Sequence, residues 1–187
     1  MIYIKDNEFI RGNCPMTKEE IRILSISKME VEENSRVLDI GAGTGSISIQ
    51  LAKICSRGNV VSIEKDEEAL RLIELNRKKF DIHNLTVVKG EALKAEGNID
   101  SGFDAIFVGG SGGNIEDIIK RYGLKLKSKS NMVLNFITLD NLYKALNVLR
   151  NMNCKVECIQ VSINKTRDDS YMMTANNSIF VVKAVKP

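Results

Sequence analysis

Residues 37–45 read Val-Leu-Asp-Ile-Gly-Ala-Gly-Thr-Gly, and this stretch decides how the 187-residue chain is interpreted. It joins a predicted strand, Arg36–Ile40, to a helix with apolar spacing from Ser46 to Ile54. The first glycine allows a tight turn, and the second and third let a ligand approach the backbone where a side chain would collide. Free N–H groups at the start of the helix favour an anionic ligand group. The stretch therefore predicts a ligand-binding loop at the carboxyl end of a strand.

The rest of the chain alternates strand and helix patterns, which predicts parallel strands with right-handed crossovers. The last two strands have no helix between them and should form an antiparallel hairpin at one edge. We therefore predict an α/β protein with a Rossmann-like, doubly wound, mostly parallel seven-stranded sheet and a C-terminal antiparallel hairpin, in one domain of residues 1–187. The predicted strands are Arg36–Ile40, Asn59–Glu64, Leu85–Lys89, Phe103–Val108, Met132–Ile137, Lys155–Asn164 and Ser178–Val185.

Two segments flank this pattern. Residues 1–30 are expected to form an arm, extended over Met1–Cys14, and then a helix. Thr17 with Glu20 three residues later is a capping-box pattern, so Thr17 is predicted to cap that helix. The polar residues 165–177, between the last two strands, are expected to lie near the substrate or a subunit interface.

Glu64 supplies a carboxylate where a nucleoside needs one. It ends the second predicted strand, 23 residues after Gly41, and a carboxylate there can accept hydrogen bonds from both ribose hydroxyls. The glycines are spaced G-x-G-x-G, whereas the dinucleotide pattern is G-x-G-x-x-G. With the acidic Asp39 before them, they resemble the loop of class I methyltransferases, which bind S-adenosyl-L-methionine.

That resemblance implies a set of cofactor contacts. Asp39 and the loop backbone would surround the methionine portion, Glu64 would hold the ribose, and the backbone near Ala92 would meet the adenine. Thr17 is a further candidate, shared between capping and cofactor contact. The cofactor-binding residues implied in this way are Thr17, Asp39, Gly41, Ala42, Gly43, Thr44, Gly45, Glu64 and Ala92.

Composition argues against several other classes. The formal net charge of +3 argues against a dedicated nucleic-acid binder without excluding one, and no apolar run approaches the ~18 residues of a membrane span. The chain has one histidine, His83, which argues against a Ser-His-Asp or Cys-His hydrolase. Cys14, Cys55, Cys154 and Cys158 suggest neither a disulfide framework nor a metal site, and core packing is the better interpretation of the last two. A cytoplasmic location is expected.

Three further stretches indicate which group of methyltransferases the chain resembles. Residues 12–22 resemble a segment that carries a proline and a threonine just before the first helix of the fold. Residues 171–180 resemble a methionine-rich segment that leads into the final strand. Residues 103–113 end in Gly-Gly-Ser-Gly-Gly, where amino-group methyltransferases carry an Asn/Asp-Pro-Pro motif. Together they resemble the decarboxylating cobalt-precorrin-6B methyltransferases of cobalamin biosynthesis. Asn135 departs from that pattern, because a small apolar residue is expected there.

The resemblance implies a tetrapyrrole substrate, a cobalt-precorrin, which is methylated at C-15 and loses carbon dioxide from the acetate at C-12. It also implies a homotetramer, and Tyr171, Met172 and Met173 are interpreted as a subunit contact. The turn Gly109, Gly110, Ser111, Gly112 and Gly113 offers N–H groups for substrate carboxylates. The basic side chains of Arg22 and Arg167, with Lys18 and Lys165, are expected at the mouth. No residue is identified that assists decarboxylation.

Three alternatives remain open at this point. A tRNA adenine methyltransferase has a similar loop, but it would be expected to have a larger basic face and usually an extra N-terminal domain. A nucleotide-dependent oxidoreductase is disfavoured by the glycine spacing. A non-catalytic module that binds the cofactor is not excluded by any feature of the sequence.

Overall fold

The computed structural model describes residues 3–110, 112–167 and 170–187, with only the backbone of Arg167. Its main sheet has seven strands in the order β3-β2-β1-β4-β5-β9-β6. Neighbours from β3 to β5 are parallel, and β9 is antiparallel to both β5 and β6. The predicted fold is therefore confirmed. The strands are β1 Arg36–Ile40, β2 Asn59–Glu64, β3 Leu85–Lys89, β4 Phe103–Val108, β5 Leu126–Phe136, β6 Lys155–Val161, β7 Asn164–Arg167, β8 Ser170–Ala175 and β9 Ile179–Val185.

Helices cover both faces of the sheet. Along β1, Val37 belongs to one buried cluster and Leu38 to the other, as the alternation of side chains along a strand requires. α1 to α3 pack on the face of Val37, and α5 and α6 pack on the face of Leu38. The helices are α1 Glu19–Met29, α2 Ser46–Ile54, α3 Glu67–Lys79, α4 Ala92–Ala95, α5 Ile115–Lys125 and α6 Leu139–Asn151. In the described residues, no helix is both long and apolar enough to cross a membrane.

The prediction that Thr17 caps α1 is wrong. The N-cap residue is Lys18, and no side chain makes a capping hydrogen bond there. Thr17 lies one residue too early, and its carbonyl accepts a hydrogen bond from Arg22 Nη1 at 2.7 Å. Glu19 and Glu20 instead place negative charge in the first turn, where it favours the helix.

The N-terminal arm is docked rather than simply extended. It contains a short 3₁₀ helix, Asp6–Glu8, between the buried side chains of Ile4 and Phe9. The backbone N–H of Ile4 donates to Gln50 Oε1 at 2.8 Å, which ties the arm to α2.

The last part of the chain differs most from expectation. The predicted long strand ends at Val161, and the polar segment contains a second, two-stranded sheet in which Lys165 pairs with Thr174. Its residues are largely exposed, so no alternation of apolar and polar residues marked it in the sequence. Cys154 packs against the core as predicted, whereas Cys158 is exposed, so core packing is the wrong interpretation for Cys158.

Candidate functional site

Two glycine turns meet at the carboxyl ends of β1 and β4. Gly41, Gly43 and Gly45 have positive φ angles of 72°, 56° and 77°, which L side chains rarely adopt. A Cβ at Gly41 would lie 2.8 Å from the carbonyl oxygen of Gly110. Only glycine therefore permits the loop after β1 to contact the turn after β4.

Glu64 is fixed beside this loop by backbone hydrogen bonds. Its Oε2 accepts from the N–H of Gly43 at 2.8 Å. Its Oε1 accepts from the N–H groups of Lys65 and Asp66 at 2.7 and 2.9 Å. The structure thus brings together the two features that the sequence assigned to one nucleoside site.

A cavity of about 490 Å³ opens over the glycine loop. It lies at the point where the strand order reverses, on the side where open α/β sheets bind ligands. We call it the first cavity. Its wall comprises residues 14–18, Ile21, residues 41–43, residues 63–65, residues 90–93, Gly109, Gly110, Gly112, Asn114, Ile118, Asn135, Ile137 and Ile179.

Three predicted cofactor residues lie behind the loop and not in the wall of this cavity. Asp39 is fully buried, its Oδ2 accepts from the Ser48 hydroxyl, and its Oδ1 has no partner among the described residues. Burial raises the pKa of Asp39 to about 7. Thr44 Oγ1 is buried and unpartnered in the same way, and a Cβ at Gly45 would lie 3.0 Å from Ile73 Cγ1. These residues support the loop from within the protein.

Arg22 does not lie at the mouth, so its predicted contact with substrate is wrong. Its side chain is fully buried, and Nη1 pairs with Asp6 Oδ1 at 3.0 Å. Nη2 donates to the carbonyl of Ile4 at 2.6 Å, and the guanidinium lies 4.9 Å from the centroid of the Phe9 ring. A buried cation needs such partners, so Arg22 anchors the N-terminal arm. Ile26 and Met29, four and seven residues after Arg22, are buried on the same face of α1, and this spacing was the available signal for its burial.

The turn after β4 contributes Gly109, Gly110 and Gly112 to the first cavity. Gly113 is not part of the wall, and Ser111 lies outside the described residues. Lys65 was not predicted, yet it lines the same cavity, and its Nζ would lie 3.6 Å from a Cβ at Gly112. Its position directly after Glu64, at the carboxyl end of β2, was the available signal.

Other predicted residues take fixed places around the first cavity. Ala92 lines it, and the carbonyl of Ala92 accepts from the Tyr122 hydroxyl at 2.6 Å. Asn135 also lines it, and its Nδ2 donates to Ser25 Oγ at 2.9 Å. Burial raises the pKa of the Cys14 thiol, and the negative charge of Glu64 raises it further.

A second cavity of about 500 Å³ adjoins the first. Both cavities are lined by Lys18, Ile21, Ile137 and Ile179. Lys165 lines the second cavity and is paired there with Glu20. Lys18 has no ion-pair partner in the part of the chain that the structure describes. The side chain of Arg167 lies outside the described residues.

Comparison with known protein families shows which family the chain belongs to. A family model described as a precorrin methyltransferase domain matches residues 8–185. The chain belongs to this family. A probable cobalt-precorrin-6B C(15)-methyltransferase (decarboxylating) from Sulfurisphaera tokodaii is 40% identical over 188 residues, which cover 98% of this chain and 97% of the relative. The protein of that activity from Salmonella typhimurium is 36% identical over 187 residues, covering 98% and 96%.

A solved precorrin methyltransferase has nearly the same backbone. The crystal structure of precorrin-6Y C5,15-methyltransferase from Geobacter metallireducens matches with a TM-score of 0.94 and 33% identity, covering 100% of this chain and 99% of that one. The likeness thus includes the arm, the closing strands and the small β7–β8 sheet, as well as the sheet core.

The site of this precorrin methyltransferase domain has the space and a carboxylate acceptor for a nucleoside cofactor. A Cβ at Gly43 would lie 3.1 Å from the carbonyl oxygen of Pro15, so glycine keeps the gap between loop and arm open. Glu64 presents a carboxylate in the same gap. The N–H groups of the loop are largely used within the protein, since those of Gly41 and Ala42 donate to the carbonyl of Ile63 and that of Gly43 donates to Glu64. The open gap and the carboxylate fit an adenosine-containing ligand.

Proposed function

We propose that this protein transfers a methyl group from S-adenosyl-L-methionine to C-15 of a cobalt-precorrin and removes carbon dioxide from the acetate arm at C-12. The observation that carries the proposal is the first cavity, in which the glycine loop and the Glu64 carboxylate lie beside a second cavity large enough for part of another ligand. Family membership and the names of the two relatives support the same reaction.

The cofactor is assigned to the first cavity. Glu64 would accept hydrogen bonds from the ribose hydroxyls, and residues 41–43 would face the methionine portion. Ala92, with Tyr122 holding its carbonyl, would border the adenine. Thr17 lines the cavity and is a further contact, while Asp39, Thr44 and Gly45 act from behind the loop.

The substrate carboxylates are assigned to the rim between the cavities. Lys18 lines both cavities without an acidic partner in the described residues, whereas Lys165 is neutralised by Glu20. Gly110 and Gly112 of the turn after β4 line the first cavity near Lys65, and their backbone N–H groups would receive further carboxylates. Arg167 remains a candidate for the same role from the β7–β8 sheet.

Positioning supplies most of the catalysis in this proposal. The bound cofactor would supply an activated methyl group, which an electron-rich ring carbon could accept without help from a strong base. Holding the two in line is worth effective molarities of ~10⁵ M or more. The protein therefore needs rigid walls around the reacting atoms, and no acid–base residue is assigned.

We also propose a cytoplasmic homotetramer in which β8 contributes a subunit contact. Tyr171, Met172 and Met173 are 99%, 71% and 61% exposed. Three large apolar side chains exposed in succession are typical of an interaction surface, whereas single exposed ones are ordinary. Sedimentation at several protein concentrations tests this assembly, and Tyr171→Ser with Met173→Ser is expected to shift it toward smaller species.

The function is tested by offering the protein S-adenosyl-L-methionine with cobalt-precorrin-6B and, separately, with unmodified tRNA. The expected result is a tetrapyrrole product that has gained a methyl group and lost carbon dioxide, detected by mass spectrometry. Methylation of tRNA adenine with no change in the tetrapyrrole would replace the proposal by the tRNA alternative. Binding of the cofactor with neither product would favour a non-catalytic module.

A further inference from the structure

The two cavities meet along a wall of three isoleucines. Ile21, Ile137 and Ile179 line both cavities, so they lie between the place proposed for the cofactor and the place proposed for the macrocycle. They come from three separate places in the fold: α1, the residue directly after β5 and the start of β9. We call these three residues the isoleucine wall.

The isoleucine wall offers no hydrogen bond to an anion. A carboxylate pressed against aliphatic side chains loses hydration, and loss of hydration disfavours its charged form. Lys18 lines both cavities together with the wall, and Gly109, Gly110 and Gly112 of the glycine turn line only the first cavity. The boundary between the cavities is therefore largely apolar, with one exposed cation, Lys18, at its rim.

Building on the proposed function, we propose that the isoleucine wall holds the C-12 acetate while it loses carbon dioxide. C-12 and C-15 are near neighbours on one macrocycle. A substrate whose C-15 faces the cofactor across the boundary therefore brings the C-12 acetate to the same boundary. One bound orientation then serves both methylation and decarboxylation.

The step balances without a further reactant beyond water. The bond between the acetate CH₂ carbon and its carboxylate carbon breaks, carbon dioxide leaves, and the bonding electron pair passes into the conjugated macrocycle. A proton from solvent water then adds to the CH₂ carbon and gives a methyl group. The wall accelerates the first step because it destabilises the localised carboxylate charge more than the charge spread over the ring.

Lys18 has a different role from the wall. A cation in contact with the departing carboxylate would stabilise the charge that the reaction removes. The side chain of Lys18 is exposed at the rim, where it can pair with a carboxylate that remains in the product. This division assigns retained side chains to Lys18 and the leaving carboxylate to the isoleucine wall.

Ile137 allows a matched test, since it is 72% exposed and its substitution spares the core. Valine and threonine have nearly the same shape, but threonine replaces a methyl group by a hydroxyl. We expect Ile137→Thr to release carbon dioxide about tenfold more slowly than Ile137→Val in single turnovers with saturating enzyme, followed by membrane-inlet mass spectrometry. Tenfold corresponds to about 1.4 kcal/mol, close to the lower end of the range for one hydrogen bond to a charged group.

Leu139 provides the control, because it is 70% exposed, lies two residues away and lines neither cavity. Leu139→Val and Leu139→Thr should release carbon dioxide at equal rates. Equal rates for the two Ile137 variants, or a similar difference at Leu139, would overturn the role of the wall and leave the proposed function standing. A wild-type protein that releases no carbon dioxide from cobalt-precorrin-6B would instead refute the proposed function and this inference with it.

Discussion

Replacing Glu64 by alanine tests the proposed ribose contact. The carboxylate lines the first cavity, and hydrogen bonds to charged groups contribute about 1.5–3 kcal/mol each. The variant also loses the bond from the Gly43 N–H at 2.8 Å, which holds the loop in place. Allowing for water in the space left behind, we expect a loss of about 2–4 kcal/mol, or a Kd for S-adenosylhomocysteine that rises about 30- to 1000-fold.

Isothermal titration calorimetry at fixed salt measures this change. Glu67→Ala is the matched control, because Glu67 lies three residues further along, pairs with Lys89 and lines neither cavity. Its Kd should stay within about twofold of wild type. Thermal unfolding of both variants checks that the fold is intact. A Kd for Glu64→Ala within threefold of wild type, in a folded protein, would refute the ribose assignment.

Three further predictions concern stability. Gly41→Ala should lower the free energy of unfolding by more than about 2 kcal/mol, because its Cβ would meet backbone atoms at 2.8–3.0 Å. Gly97→Ala is the control and should not have this effect, because a Cβ there would have no neighbour within 4 Å. Equal urea midpoints for the two variants would contradict this. Arg22→Met should lower the free energy of unfolding by about 2–4 kcal/mol, because it leaves the buried carbonyl groups of Thr17 and Ile4 without a donor. The surface control Lys28→Met should lower it by less than about 1 kcal/mol. A smaller loss for Arg22→Met in urea unfolding would contradict the anchoring role of Arg22. Burial raises the pKa of Asp39 to about 7 from 3.8, so the folded state keeps a proton that the unfolded state releases, and this group lowers stability as pH rises from about 4 to 7. Asp39→Asn should reduce the loss of unfolding free energy between pH 5 and pH 8 by about 2–3 kcal/mol, and an unchanged pH dependence would contradict this.

The sequence was sufficient where the structure depends on local pattern. The β1–loop–α2 unit and the ribose candidate Glu64 follow from strand alternation, glycine spacing and an acidic residue at a strand end. These features encode backbone conformations that only glycine permits, as the positive φ angles of Gly41 and Gly43 illustrate.

The errors come from tertiary contacts that local pattern does not encode. Arg22 was assigned to the surface because basic side chains usually lie there, but the N-terminal arm supplies Asp6 and two carbonyl groups that allow its burial. Thr17 is not the cap because α1 begins one residue later than the pattern predicts, with Lys18 at the N-cap. The β7–β8 sheet has no buried face, so it left no periodic signal.

A crystal structure of the protein with S-adenosylhomocysteine tests the central claim most directly. We predict that the nucleoside lies in the first cavity with its ribose hydroxyls within hydrogen-bond distance of Glu64 and its sulfur directed toward the boundary formed by Ile21, Ile137 and Ile179. A ligand bound elsewhere, or bound here with its ribose away from Glu64, would contradict the account.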